Sequence, residues 1–320
     1  MKAIRAPEPG GPEAVRVVEL PESAPREVEA IVHVRAAGVN RADLLQVAGK
    51  YPPPPGVTDV PGLECAGVEP ASGRRVMALL PGGGWAEQVA IDRRLLLEIP
   101  ARLSFEEAAA IPEVWLTAYL NLFLEGRLRA GETVVIHAAA SGVGTAAIQL
   151  ARRAGARVVA TTRSASKLEL CRSLGAHVAV DTTVEDLAKA APEVDLILDV
   201  LGGGGSLERH QSILATNGRL VVIATMAGPT GTLDFRTLLH KRQRIVGSTL
   251  RARPIDEKAE LTQRFAEDVL PALASGELRP IVDRVYAFED VVPALRRMQA
   301  NENAGKIVLR WSAPALSPAS

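Results

Sequence analysis

The chain predicts an α/β protein: a doubly wound parallel sheet forms one domain, and a smaller β-rich portion precedes it. Three observations carry this reading. Residues 133–163 read as strand, tight turn, helix, strand. From Thr133 onward, short apolar runs alternate with helical patterns. Before Pro100 the apolar segments are short, β-like and separated by Pro/Gly clusters.

Val134, Val135 and Ile136 form a β-branched run, and Ala139 to Gly144 make the turn. The helix pattern runs from Thr145 to Ala154, with Ile148 and Leu150 among its apolar positions. A βαβ unit of about 30 residues with a small-residue turn is how a dinucleotide pyrophosphate is held. Small side chains let the backbone approach the phosphates, and the helix start offers unpaired N–H groups and positive dipole. Ser141, Gly142, Val143 and Gly144 are therefore candidate cofactor residues. A strict G-x-G-x-x-G has Gly where this chain has Ala139 and Ser141, so an ordinary tight βα turn stays open as the alternative.

Strands are expected at 134–137, 158–162, 178–181, 196–200, 220–224 and 245–247. Apolar strands alternating with helices imply a parallel sheet covered on both faces. Six is the count of a full Rossmann-type dinucleotide domain. In front of it, 30–36, 75–79 and 87–91 read as strands of an antiparallel, turn-rich domain. A helix is expected around 113–125. After Gly247 come a helix near 257–275, a strand near 281–286, a helix near 291–301 and a strand at 306–309, which should return to the N-terminal domain. The expected division is 1–115, 116–252, the return 253–311 and a frayed Pro/Ala/Ser-rich tail 312–320.

Composition narrows the function class. With 320 residues, 47% hydrophobic and 23% charged, the chain can bury two cores. Lys+Arg and Asp+Glu each number 37, which gives no support for nucleic acid or anionic membrane partners. Cys65 and Cys171 have no metal-ligand spacing and read as buried small hydrophobes. MKAIRAPEPGG lacks a signal-peptide apolar core, and no run reaches ~18 apolar residues, so a cytoplasmic location is the default expectation.

Several motifs are more specific. They are Asn40-Arg41-Ala42-Asp43-Leu44-Leu45-Gln46, Gly49-Lys50-Tyr51 with Pro52 to Gly56, Gly62-Leu63-Glu64, Ala109-Ala110-Ile111-Pro112, Trp115-Leu116-Thr117-Ala118, His137 to Gly144, and Asn303 to Leu309. Together they resemble the zeta-crystallin-like quinone oxidoreductases of the medium-chain dehydrogenase/reductases. The likeness is nearest to the tumour-suppressor-inducible type and spans about Met1 to Arg310. It implies a GroES-like catalytic domain beside the Rossmann domain. The chain departs from the family at 67–75, where GVEPASGRR is compressed and Arg74-Arg75 replaces a usual Gly-Asp.

Metal-dependent relatives hold catalytic zinc with Cys, His and Cys or Glu. Here Asn40 stands at the Cys position and Leu63 at the His position, while Glu64 alone is not a site. The five histidines, at 33, 137, 177, 210 and 240, make no i, i+4 pair. No metal is expected.

The resemblance implies direct hydride transfer from NADPH to a quinone. That chemistry needs positioning and a dry pocket more than an acid or base. Asn40 and Tyr51 are the implied donors to the quinone oxygens. Asn40 otherwise reads as a cap for the following helix, and Tyr51 as a brace for the prolines. Trp115 walls the pocket or packs in a core. Thr117 is implied to touch the cofactor. At the end of the second strand NAD enzymes place an acid, but Arg163 and Lys167 stand here among hydroxyls, which suits a 2′-phosphate. Thr182 sits where relatives carry a stacking Tyr. Val200, Ile223, Ala224 and Thr225 lie at carboxyl ends of strands, where ligands of open sheets bind. Thr249, Leu250 and Asn303 complete the expected cofactor set. The resemblance and the edge position of 245–247 imply a homodimer through that strand. An NADPH-dependent enoyl-thioester or alkene reductase, and a non-catalytic NADPH-binding protein, remain alternatives.

Overall fold

A computed structural model describes residues 1–311, so the tail 312–320 lies outside the described residues. The chain forms two compact units. One comprises 1–116 and 251 onward; the other is Thr117–Leu250.

The first unit begins with the hairpin-like pair β1 (Lys2–Arg5) and β2 (Arg16–Glu19). Then follow β3 (Glu29–Val39), α1 (Arg41–Val47), β4 (Glu64–Glu69), β5 (Arg74–Leu79), β6 (Gln88–Asp92) and β7 (Leu96–Glu98). The compressed 67–75 region is a tight hairpin. Gly73 takes φ +70 at its tip. The Glu69 side chain, buried, accepts from Ser72 Oγ, Arg74 and Arg93, and its backbone carbonyl from the Gly73 N–H. Short helices α2 (Phe105–Ala108) and α3 (Pro112–Tyr119) lead out of this unit.

The expected single helix over 113–125 is two conformations. α3 stops at Tyr119, and Leu120–Glu125 continues as a π-helix, closed by a bond from Gly126 N–H to Asn121 O at 3.1 Å. Buried Asn121 donates its side-chain amide to Thr117 O, four residues back, a pattern that loosens regular helix.

The second unit contains β8 (Thr133–Ile136), α4 (Gly142–Arg153), β9 (Arg157–Thr162), α5 (Leu168–Ser173), β10 (Val178–Asp181), α6 (Leu187–Ala190), β11 (Val194–Asp199), α7 (Ser206–Ile213), β12 (Leu214–Val222), α8 (Phe235–Lys241) and β13 (Arg244–Gly247). Its six strands are all parallel, in the order β10-β9-β8-β11-β12-β13. That order reverses between β8 and β11, the switch point of a doubly wound sheet. β12 starts well before the expected 220. Asn217, at φ +64, and Gly218 interrupt its apolar run, and the register against β11 shifts between Val194 and Leu196. Val135, Val159, Ile197 and Leu220 form the core of this unit, each at most 1% exposed.

The chain then returns to the first unit with α9 (Ile255–Asp268), α10 (Leu270–Ser275), β14 (Val282–Ala287), α11 (Val291–Gln299) and β15 (Lys306–Arg310). The helix expected over 257–275 is broken at Val269 (φ −118), and Pro271 sits in the first turn of α10, where its missing N–H costs nothing. β14 and β15 pair in parallel, joined by α11, so the sheet is mixed where the sequence reads as antiparallel. Its order is β14-β15-β3-β4-β5-β7, with β6 also on β3. Trp85, Phe288 and Trp311 anchor its core; the last two stack with ring centroids 3.7 Å apart. Cys65 and Cys171 are fully buried, as read from the sequence.

Candidate functional site

Strand pairing brings a polar cluster together inside the first unit. β15 runs antiparallel to β3 with Ile307 opposite Val39, which sets Lys306 beside Asn40. β3 runs antiparallel to β4 with Ala37 opposite Cys65, which sets Glu64 beside Gly38. A Cβ on Gly38 would collide with Glu64 Oε1 and stand 2.8 Å from Ala109 O, so only glycine leaves room for the carboxylate.

Lys306 and Glu64 form a buried ion pair, 3% and 0% exposed, at 2.5 Å. The ammonium donates its three protons to Glu64 Oε1, Asn40 Oδ1 at 2.6 Å and Val39 O at 3.0 Å. Asn40 Nδ2 donates to the same Glu64 oxygen at 2.9 Å, while Oε2 accepts the Glu113 backbone N–H at 2.8 Å. One proton of the Asn40 amide is thus committed, and its carbonyl is taken by Lys306. Asn40 is also the N-cap of α1. Its N–H is held by Asp43 Oδ2 at 2.7 Å, and Asp43 Oδ1 accepts from Gly62 N–H at 3.0 Å. Burial pushes the Asp43 carboxyl up to about 6 against those two bonds.

Glu113 opens the first turn of α3. Its Oε2 is enclosed with no hydrogen-bond partner among the described residues. Burial, then the neighbouring Glu64 carboxylate, push the Glu113 carboxyl up to about 8.

Tyr51 is held from below by Arg251. The guanidinium carbon stands 5.1 Å from the phenol ring centroid, a cation–π distance. Arg251 is 5% exposed and donates to Pro81 O and Gln46 Oε1, each at 2.7 Å. Lys258 Nζ in turn binds Arg251 O at 2.6 Å. Burial raises the Tyr51 phenol above its ordinary range, and Arg251 opposes this. Trp115 is 2% exposed, packed as core and not as an open wall.

In the second unit, the expected cofactor residues gather at one edge. Ser141 to Gly144 follow β8, Arg163 and Lys167 follow β9, Thr182 follows β10, Val200 follows β11, Ile223 to Thr225 follow β12, and Thr249 and Leu250 follow β13. Every strand is parallel, so all these positions lie past carboxyl ends. Ser141 caps α4, its Oγ accepting the Gly144 N–H at 3.1 Å. A Cβ on Gly144 would meet the Ala139 backbone at 2.5 Å, so the helix packs on the turn only through glycine. The left-handed residue of the turn is Ala138, φ +47, while Ala139 is not left-handed. Arg163 and Thr225 are exposed, and Lys167 is partly so. Thr117 also belongs to this unit, on α3, whereas Asn40, Tyr51, Trp115 and Asn303 belong to the first. Asn303 donates to Gly305 O at 2.9 Å, bracing the start of β15.

Sequence spacing did not reveal a second cluster. His137, Asp199 and His210 come together at the ends of β8 and β11 and on α7, their candidate ligand atoms all within 4.8 Å. His137 Nδ1 meets Thr161 Oγ1 at 2.9 Å; His137 Nε2 and His210 Nδ1 are buried and make no hydrogen bond among the described residues, with Asp199 Oδ2 3.6 Å from His210 Nδ1. Burial and the nearby His210 depress the His137 imidazole to about 3, so it stays neutral.

Comparisons with known proteins place these features. The family model described as zinc-binding dehydrogenase matches residues 142–267. The rat synaptic vesicle membrane protein VAT-1 homolog is 34% identical over 332 residues, covering 94% of this chain and 81% of that protein. A quinone oxidoreductase of Lama guanicoe is 30% identical over 327 residues, covering 97% of each. Among solved structures, the quinone oxidoreductase of Thermus thermophilus, described also in complex with NADPH, superposes with TM-score 0.85 at 37% identity, covering 97% of this chain and all of that one. The JamJ enoyl reductase superposes with TM-score 0.86 at 25% identity, covering 97% and 99%. By identity and full-length coverage, this chain belongs to the quinone oxidoreductase family of the medium-chain dehydrogenase/reductases.

Proposed function

We propose that this protein is an NADPH-dependent quinone oxidoreductase working by direct hydride transfer without a metal. The observation that carries the reading is the Lys306 ammonium. It fills the space between Asn40 and Glu64, so the cation of that cradle is a side chain whose three protons are all spent. We assign cofactor binding to the second unit and the acceptor to the first. NADPH, when bound, supplies the hydride. Gly144 and the Ser141 cap let the α4 start face the pyrophosphate, and Arg163 with Lys167 meet the 2′-phosphate.

On the first unit Tyr51 orients the quinone. Its phenol is pinned by Arg251 beneath the ring and by the stiff Pro52 to Pro55 segment. A positioned O–H aimed at an oxygen that gains charge stabilises that charge as it develops. The free N–H of Asn40 is the second donor. His137, Asp199 and His210 take no part in turnover in this account.

A second reading has a specific observation behind it: enoyl reductases are also among the similar structures. One substitution separates the two. In the quinone reading, Tyr51→Phe lowers kcat/KM for a simple quinone by roughly ten- to a hundredfold, at about 1.4 kcal/mol per decade, with NADPH binding unchanged. In the enoyl reading Tyr51 is the proton source, and the loss on an enoyl-CoA is deeper and pH-dependent. Quinone turnover untouched by Tyr51→Phe would remove Tyr51 from the site.

We further propose a homodimer through β13, which is the edge of the parallel sheet. Ile245 on that strand is 39% exposed, and Phe235 and Leu239 on α8 are 67% and 75% exposed. A bare apolar edge invites pairing with a second copy. Light scattering at micromolar concentration should report a dimer; a monomer there counts against it. Among the described residues no helix is long and apolar enough to cross a membrane.

A further inference from the structure

We propose that Glu113 is the proton donor of this reduction, a neutral carboxylic acid that delivers its proton to the acceptor oxygen beside Tyr51. The proposal rests on the quinone reduction proposed above. Its geometry begins with the backbone: the Glu113 N–H is fixed on Glu64 Oε2 at 2.8 Å, which sets the side chain at the start of α3. Its Oε2 is enclosed without a partner among the described residues. Tyr51, Arg251 and Lys258 all lie within range of its charge, as do Glu64, Asp43 and Lys306.

None of the three cations hydrogen-bonds Glu113 Oε2. Lys306 is spent on Glu64, Asn40 and Val39. Arg251 donates to Pro81 O and Gln46 Oε1 and faces the Tyr51 ring, and Lys258 donates to Arg251 O. Of the remaining neighbours, Glu64 and Asp43 are carboxyl groups and Tyr51 is a phenol. Ionised, half-buried Glu113 would put charge on an enclosed oxygen without a donor. The neutral acid instead carries an O–H that lacks only an acceptor, and a quinone oxygen is one. The carboxyl is accordingly pushed up to about 8, so it is protonated below that pH and loses its proton above it.

The step balances. Hydride brings two electrons and one proton to the quinone, leaving negative charge on oxygen. The Glu113 O–H bond breaks as a new O–H bond forms on that oxygen, giving the hydroquinone. The Glu113 carboxylate then takes a proton from solvent.

The test has two arms. With a para-quinone, E113Q should lower kcat roughly a hundredfold and leave the KM for NADPH unchanged. Wild-type kcat should fall as pH rises through about 8, and E113Q should lose that limb. The second arm needs neither cofactor nor acceptor: carbon NMR of protein labelled at glutamate carboxyls, assigned by comparison with E113Q. One carboxyl should titrate near 8 and be missing in the variant. A Glu113 carboxyl already ionised at neutral pH, or an alkaline limb retained in E113Q, overturns the proposal. A wild type that reduces enoyl-CoA and not quinones overturns the substrate reading instead, and the NMR titration then decides Glu113 by itself.

Discussion

Replacing Lys306 with methionine should destabilise the protein by about 3–5 kcal/mol. Methionine keeps much of the volume but removes the charge. Glu64, which is 0% exposed, then keeps only the Asn40 amide and the Glu113 N–H, and Asn40 Oδ1 loses its donor. Breaking a buried pair on one side is costly because the surviving charge stays desolvated. At roughly 2–4 °C per kcal/mol, the melting temperature should drop by about 6–20 °C. Adding Glu64→Gln to Lys306→Met should recover much of the loss, since a buried pair replaced by neutral groups is often tolerated. Thermal denaturation of the two variants checks both statements. A Lys306→Met protein within about 1 kcal/mol of wild type would mean that the pair is not desolvated in solution.

The second large effect concerns the cofactor. Arg163→Ala with Lys167→Ala should raise the KM for NADPH at least tenfold and leave that for NADH nearly unchanged. Each charged contact to a phosphate is worth roughly 1.5–3 kcal/mol. Arg163 is exposed and Lys167 partly so, which places both toward the lower end through screening. Steady-state kinetics with the two cofactors decides it. Equal wild-type efficiency with NADPH and NADH would remove the assignment of these residues to the 2′-phosphate.

The parallel sheet was legible because its inner strands β8, β9 and β11 are buried on both faces and read as apolar runs. Where that signal was interrupted, the reading slipped. Asn217-Gly218 hid the first half of β12. The break at Val269 was invisible because the apolar pattern of α9 continues into α10. The π-helical turn after Tyr119 leaves no periodic trace over so few residues. The parallel pairing of β14 with β15 depends on the α11 crossover, which strand-like composition does not record.

The two candidate regions differ more sharply. The strand-end positions of the second unit follow from alternation alone, since every strand of a parallel sheet ends on the same edge. The polar cluster of the first unit does not. Lys306 and Glu64 are 242 residues apart, and Glu113 and Glu64 are 49 apart. Only strand register brings them together, and only Gly38 makes room. In the sequence Glu64 is for that reason a lone carboxylate, and no motif marks Glu113 or Arg251. His137, Asp199 and His210 escaped for the same reason, as they meet through three separate elements.

The central claim is hydride transfer from NADPH to a quinone with a lysine, and no metal ion, at the heart of the acceptor side. The most direct measurement is NADPH oxidation with a para-quinone before and after prolonged chelation, with elemental analysis of the same samples. The account predicts unchanged turnover in protein that carries no stoichiometric metal. Turnover lost on chelation and restored by zinc would contradict it.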